Sequence, residues 1–350
     1  MTAPLLEVRG LVKHFPVQGG WWGPRALVRA VDGVDLDVGR GEIVGLVGES
    51  GSGKTTLGRA VLRLLEPTAG SVRFDGIDLL ALRPRELRRL RRRLQIVFQD
   101  ASTALNPRMR VRSLVGEPLV IHGMARGREL TERVVALLEE VGLDAGALDR
   151  YPHEFSGGQR QRIGIARALA VRPEFVVLDE PVSALDVSVQ AQIVNLLLEL
   201  QEKHRMAYLF ISHDLALIGH LCDRIAVMYL GRIVEEARAA ALLRAPRHPY
   251  TRALFAAVPP PDPERARRLR APLPGEMPSP VDLPPGCRFH PRCPHAEAAC
   301  RDRDPELREI GAGHRVACHL AETLPETPPV ARPATSGPSA ERTAQEGEVQ

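Results

Sequence analysis

"EIVGLVGESGSGKTTLGRAVLRLL", residues 42 to 65, decides the fold. The run "IVGLV" is apolar throughout and too short for a helix, which is how a strand covered on both faces of a parallel sheet reads. A small-residue loop follows at 48 to 53, and "TTLGRAVLRLL" then takes up helical spacing. Gly48, Gly53, Lys54 and Thr55 fill the pattern G-x-x-x-x-G-K-[ST], and strand before plus helix after is the context in which that pattern cradles phosphate. Gly48, Gly51 and Gly53 let backbone N–H groups curl round phosphate oxygens without Cβ clashes, and the helix start adds its partial positive charge. Ser50 and Thr56 belong to the same stretch. Lys54 can reach the β- and γ-phosphates as a point charge, and Thr55 can place a hydroxyl on Mg²⁺. Only Lys13, Lys54 and Lys203 are lysines among 47 basic residues, so an ammonium at 54 marks a position where its compactness matters.

Outward from this unit the pattern changes twice. Upstream, "LLEVRGLVKHF" (5 to 15) and "VRAVDGVDLDV" (28 to 38) alternate apolar and polar residues, as half-buried antiparallel strands do. Downstream, "QIVFQ" (95 to 99), "FVVLDE" (175 to 180) and "AYLFISH" (207 to 213) are short apolar runs separated by helical stretches. The expected fold is α/β, a nucleotide-binding core with a parallel sheet and an antiparallel β-subdomain. Residues 100 to 155 carry helical periodicity in "ELTERVVALLEEVGL" and read as an inserted helical subdomain. The nucleotide-binding domain is expected over 5 to 245, a Cys-containing extension over 246 to 320 and a disordered tail over 321 to 350.

Composition excludes more than it names. A chain of 350 residues with 44% hydrophobic and 26% charged residues is ordinary globular material, with no unbroken apolar run of the roughly 18 residues that a membrane span needs. The start, "MTAPLLEVRGLVKHF", lacks the layout of a secretion signal, and a cytosolic protein is expected. A net charge of +4 is too balanced to argue for nucleic acid as a partner. The basic run "RPRELRRLRRR" (83 to 93) reads as a solvated helix face.

Further candidates stand at strand ends. Asp179, closing "FVVLD", suits a water-mediated hold on Mg²⁺, which leaves Glu180 to polarise an attacking water. His213 could contact the γ-phosphate, and Gln99 could ligate Mg²⁺ or water. "EFSGGQRQR" (154 to 162) poses a puzzle: Ser156, Gly157 and Gly158 open a helix whose positive end suits an anion, yet the first loop already encloses a phosphate.

With "GESGSGKT", "VFQD", "FSGGQ", "FVVLDE", "SALD" and "ISHD" in this order from 48 to 214, the chain resembles the nucleotide-binding subunit of an ATP-binding cassette (ABC) transporter. The resemblance implies a P-loop NTPase core of RecA-like type and resolves the puzzle. In that family the second loop, here Ser156, Gly157, Gly158 and Gln159, binds the γ-phosphate of ATP held by a facing subunit, so two chains sandwich two nucleotides. Phe155 replaces the usual leading leucine. Asp186 of "SALD" would couple the two sites, and an aromatic before the first loop would stack on adenine. Phe15 stands at that place, with Trp21 and Trp22 as competitors.

"VFQDASTALNPR", "EPVSALDVSVQAQIVNLLLELQ" and "RHPYTRALFAAVP" (247 to 259) resemble the ATPases of the peptide importers, a group that also handles nickel and glutathione. That implies import of di- or oligopeptides driven by ATP and Mg²⁺, with a paralogous ATP-binding subunit, two permease subunits and a solute-binding protein as partners. The chain would lie peripherally on the cytoplasmic face of the inner membrane. A soluble non-transport cassette ATPase is the rival. Cys222 stands alone and reads as core, whereas Cys287, Cys293, Cys300 and Cys318 fall within 32 residues. In a cytosolic protein clustered thiols suggest metal rather than disulfide. The resemblance implies a [4Fe–4S] cluster there, with zinc or unligated thiols as alternatives.

Overall fold

The computed structural model describes residues 3–17, 26–257 and 275–325. The alternating N-terminal segments form β1 (Leu6–Val17) and β2 (Ala26–Val38), which pair antiparallel, and with β4 (Ala69–Phe74) and β5 (Ile77–Asp78) they make a sheet of order β2-β1-β4-β5. Between β2 and β4 lie β3 (Ile43–Val47) and α1 (Lys54–Val61). All five residues of β3 are buried, as its unbroken apolar run requires of a central strand.

After α2 (Pro84–Leu90) come β6 (Leu94–Val97), β7 (Phe175–Asp179), β8 (Ala207–Ser212), β9 (Arg224–Tyr229) and β10 (Arg232–Arg238). Strands β6, β7, β8, β3 and β9 lie side by side and parallel. The carboxyl ends of β3, β6, β7 and β8 therefore share one edge, where open α/β sheets place their ligands. In the basic run, Leu87 and Leu90 turn inward from α2, while past its end Arg91 donates to the Arg63 carbonyl and Arg93 joins Glu174 and Asp75 in an ion-pair group, so the segment is a solvated helix face followed by two structural arginines.

The insert expected at 100 to 155 is helical: α3 (Ala101–Ala104), α4 (Val111–Ile121) and α5 (Gly127–Glu140), followed by α6 (Gly157–Leu169). It is bound to the core through α6, whose buried Gln161 donates to the Phe98 carbonyl at 3.4 Å and whose Arg167 pairs with Glu117 of α4 at 2.9 Å. Helices α7 (Val187–His204) and α8 (Leu215–Leu221) complete the core, and Cys222, just past α8, is buried as expected.

Beyond β10 the chain forms α9 (Ala239–Arg244), α10 (Pro249–Ala256), α11 (Ala298–Asp302), β11 (Arg308–Gly311) and β12 (His314–Val316). β12 pairs with β10 at Glu235↔Val316 and Glu236↔Arg315, so among the described residues the main sheet runs β11-β12-β10-β9-β3-β8-β7-β6. Of the tail expected from 321, Ala321 and Leu324 are buried, and residues from 326 onward lie outside the described ones.

Candidate nucleotide site

The phosphate loop is shaped by contacts that exclude side chains. A Cβ at Gly48 would stand 2.2 Å from the Met228 carbonyl oxygen, and one at Gly53, where φ is +108°, would stand 2.0 Å from that of Ala30. Only glycine fits at either place. Lys54, at the start of α1, is 4% exposed, and its Nζ donates to the carbonyls of Gly48 (2.8 Å) and Glu49 (2.9 Å). Burial lowers its pKa, while the charges of Glu180, Asp179 and Glu49 act the other way. At the next residue, the Thr55 hydroxyl donates to Asp179 Oδ1 at 2.7 Å.

Asp179 is 1% exposed, and its Oδ2 is buried without a hydrogen bond, the Arg59 guanidinium standing 3.5 Å away. Burial raises the Asp179 pKa, with the Thr55 hydroxyl and Arg59 opposing. A buried carboxylate oxygen that Arg59 only approaches, beside a hydroxyl, leaves room for a cation's water, so these residues fit a magnesium ion.

Glu180 follows at the end of β7 in the left-handed region, φ +47°, with its N–H donating to the Ile211 carbonyl at 3.0 Å. A non-glycine residue in this conformation is uncommon and marks a position fixed by its surroundings. The turn aims the carboxylate across the strand ends: Oε2 accepts from Gln99 Nε2 at 3.0 Å and lies 3.4 Å from His213 Nδ1. One cavity of about 550 Å³ is lined by Ser50, Gly51, Gly53, Lys54, Thr55 and Thr56 together with Gln99, Glu180 and His213. Residues up to 163 positions apart in sequence, from Ser50 to His213, thus meet as the strand-end reading expects.

Phe15 does not line this cavity. It is half-buried on β1 opposite Val28, with Lys13 Nζ 5.0 Å from its ring centroid, and it is Val28 on the adjacent strand that faces the cavity. Trp21 and Trp22 lie outside the described residues.

The second glycine loop is held apart from the first. Ser156 is exposed and caps α6 reciprocally: its Oγ accepts from the Gln159 N–H (3.3 Å), and Gln159 Oε1 accepts from the Ser156 N–H (3.0 Å). Gly158 packs on α7, where an added Cβ would meet Val189 at 2.4 Å. Asp186 caps α7 through the Val189 N–H at 3.0 Å and accepts the Ser188 hydroxyl, which with that N–H lowers its pKa. None of Ser156, Gly157, Gly158, Gln159 and Asp186 lines the cavity within one chain.

The cysteines give a different outcome. Cys287, Cys293, Cys300 and Cys318 are free thiols, and electrostatic coupling links each to others of the set. The Leu320 N–H donates to Cys318 Sγ at 3.4 Å, and the Phe289 and His295 amides act likewise on Cys287 and Cys293. Burial nevertheless pushes the Cys287 thiol up to about 12 and Cys318 to about 11, which favours the neutral thiols. Among the described residues no three His, Cys, Asp or Glu side chains are arranged to hold a metal ion. The expectation of an iron–sulfur cluster on these four cysteines is therefore not upheld by their placement: desolvated thiols that do not converge are not a formed ligand set.

Sequence reasoning missed the contacts that tie the C-terminal extension to the loop. The Tyr250 hydroxyl accepts from the Glu49 N–H, and Arg292 pairs with the Glu49 carboxylate. "RHPYTRAL" was the available signal, and it pointed only to a family.

Comparison with known proteins agrees with this geometry. The family model of the ABC transporter matches residues 31–183, and that of the oligopeptide/dipeptide transporter C-terminal region matches 234–300. A Brucella ovis protein whose name assigns it to peptide import as an ATP-binding protein is 54% identical over 315 residues, 90% of this chain and 97% of that one. The oligopeptide transport ATP-binding protein AppF of Bacillus subtilis is 49% identical over 319 residues, 90% of this chain and 97% of its own. Among solved structures, the ATP-binding cassette MJ0796, a dimer bound to ADP and Pi, superposes with a TM-score of 0.60 at 30% identity, over 67% of this chain and 98% of that one. CbiO1 of Clostridium perfringens gives 0.58 at 28% identity, over 68% and 90%. The chain belongs to the ABC transporter family, among the ATP-binding proteins of the peptide importers.

Proposed function

We propose that this chain hydrolyses ATP to power the import of di- or oligopeptides, acting as one half of an ATP-closed dimer on the permease of an ABC importer. The observation that carries this reading is the Glu180 carboxylate, held by Gln99 and His213 in the same cavity as the phosphate loop. The triphosphate lies along the loop amides, with Lys54 leaving the carbonyls of Gly48 and Glu49 to meet the β- and γ-phosphates. Thr55 and Gln99, with Asp179 through water, would hold a magnesium ion, which would supply positive charge against the phosphates. Glu180 takes the proton of a water that attacks the γ-phosphorus as its bond to the β–γ bridging oxygen breaks and ADP leaves, and His213 steadies the γ-phosphoryl oxygens.

Ser156 and the amides of Gly157 and Gly158 complete the site of a facing subunit, and Asp186 beside them relays occupancy across the dimer. The exposed, preformed cap at Ser156 supports this. Phe15, beside the cavity-lining Val28, is the aromatic of the described residues offered for adenine. The importer comprises a paralogous ATPase, two permease subunits and a solute-binding protein. The described residues include no helix long and apolar enough to cross a membrane. In this reading the chain acts through the permease, peripheral on its cytoplasmic side.

Relatives named for peptide transport favour peptides over nickel or glutathione, and the matched C-terminal region disfavours a non-transport ATPase. Reconstitution of the chain with its permease in proteoliposomes, loaded with ATP and offered a labelled tripeptide pool, tests the whole reading. Uptake that Lys54→Ala abolishes is expected. Undiminished uptake with Lys54→Ala, or hydrolysis that no peptide pool or binding protein stimulates, would refute it.

A further inference from the structure

We infer that Tyr250 and Arg292, both carried by the C-terminal extension, are positioning residues that set the ATP affinity of the phosphate loop through Glu49, an inference that rests on the ATP reading above. One peptide plane transmits the effect. The Glu49 N–H donates to the Tyr250 hydroxyl at 2.8 Å, and the Gly48 carbonyl, at the other end of the same trans peptide unit, accepts from Lys54 Nζ at 2.8 Å. In a planar trans peptide the N–H and C=O point in opposite directions, so anchoring one fixes the other. Tyr250 thereby decides where the resting ammonium of Lys54 sits and stops this plane from rolling into the space that phosphate must fill.

Arg292 holds the same residue by its side chain. Its guanidinium makes a two-pronged contact with the Glu49 carboxylate, at 2.7 and 3.0 Å, and is 5% exposed. Such bidentate pairs fix orientation as well as position. The two anchors are themselves immobilised. Tyr250 is fully buried, with its ring 4.6 Å from that of Tyr229 and 5.4 Å from that of Phe289, and the Arg292 guanidinium lies 5.9 Å from both of those rings. Tyr229 ends β9, the parallel neighbour of β3, so the cluster is fastened to the strand beside the one that delivers the loop. A cassette lacking this extension has no counterpart of these anchors. Here the back of the loop is braced by residues 201 and 243 positions further along the chain.

The test is titration of full-length Tyr250→Phe, Arg292→Gln and Arg292→Lys with a fluorescent ATP analogue in Mg²⁺, with thermal melting alongside. Tyr250→Phe keeps the ring and its packing and removes only the acceptor. The midpoint reports the loop, whereas the amplitude reports the folded fraction, and a merely structural role would move only the second. The expected result is a midpoint about fivefold higher for Tyr250→Phe and about tenfold higher for Arg292→Gln, with part of the latter recovered by Arg292→Lys. Midpoints within about twofold of wild type for both Tyr250→Phe and Arg292→Gln, or losses confined to amplitude and melting temperature, overturn the inference. Lys54→Ala separates the two levels: its loss of binding while Tyr250→Phe and Arg292→Gln retain theirs sinks the anchors alone, and its normal binding sinks the ATP reading itself.

Discussion

Replacing Glu180 by glutamine isolates one carboxylate. The side chain keeps its size, the left-handed backbone at φ +47° burdens either residue alike, and the amide oxygen can still accept from Gln99 at the 3.0 Å now seen. Folding should therefore lose no more than about 1 kcal/mol. Removing a negative charge next to a triphosphate takes away a repulsion of about 1 kcal/mol for unit charges about 4 Å apart in water, so ATP should bind as well as before or up to about fivefold more tightly. The chemical step loses its proton acceptor, which costs about 10²–10⁴-fold, or about 3–5 kcal/mol of barrier. Single-turnover phosphate release, paired with sedimentation in ATP, reads both consequences: turnover collapses, and the ATP-loaded dimer, no longer reopened by hydrolysis, accumulates. Hydrolysis within about tenfold of wild type would remove Glu180 from its role, and a monomer at saturating ATP would remove the dimer.

Thr55→Val deletes the hydroxyl that bonds Asp179, so the affinity for Mg·ATP should fall by about tenfold or more while metal-free ATP is affected far less, as isothermal titration with and without EDTA would show. Ser156→Ala removes the cap of α6, costing about 1 kcal/mol of stability, yet it should lower ATPase activity far beyond that loss and leave the ATP midpoint of an isolated chain unchanged. His248 is fully buried and its pKa is depressed to about 4 by desolvation, with the Glu235 charge partly opposing. Its contribution to stability is complete above the unfolded value near 6.5 and declines as the pH falls towards 4, by about 2 kcal/mol at pH 5. Urea unfolding at pH 7.5 and 5 should show this loss in the wild type and a smaller one in His248→Asn; equal losses would refute it. Anaerobic purification followed by iron and acid-labile sulfide analysis decides the cysteine quartet: iron-free thiols are expected from their placement, and near four iron atoms per chain, lost in Cys300→Ser, would reinstate the cluster.

The core was legible because its signals are local. A five-residue apolar strand, a glycine loop and a helix start lie within 24 consecutive residues, and the carboxylates of Asp179 and Glu180 announce themselves by ending such a strand. The Thr55–Asp179 bond spans 124 positions and still follows from the parallel order of β3 and β7 about β8. Tyr250 and Arg292 were illegible for the opposite reason. A tyrosine after His-Pro and an arginine between two cysteines carry no pattern of their own, and their meaning comes only when α10 and the segment after Cys287 fold against β9. The cysteine spacing misled in kind: closeness in sequence brought the thiols into one neighbourhood without arranging them round a centre. Phe15 shows the limit of a motif offset, since β1 lies one strand beyond the cavity wall that β2 supplies.

The pairing of β12 along β10 bears on how this protein could be shortened. Strand β10 would otherwise end the main sheet with an open row of backbone donors and acceptors, among them the Val234 carbonyl that now accepts from Ala317 at 2.8 Å. Open rows of that kind recruit neighbouring chains. Trimming the protein to the span it shares with smaller cassettes would thus uncover the β10 edge that β12 now pairs.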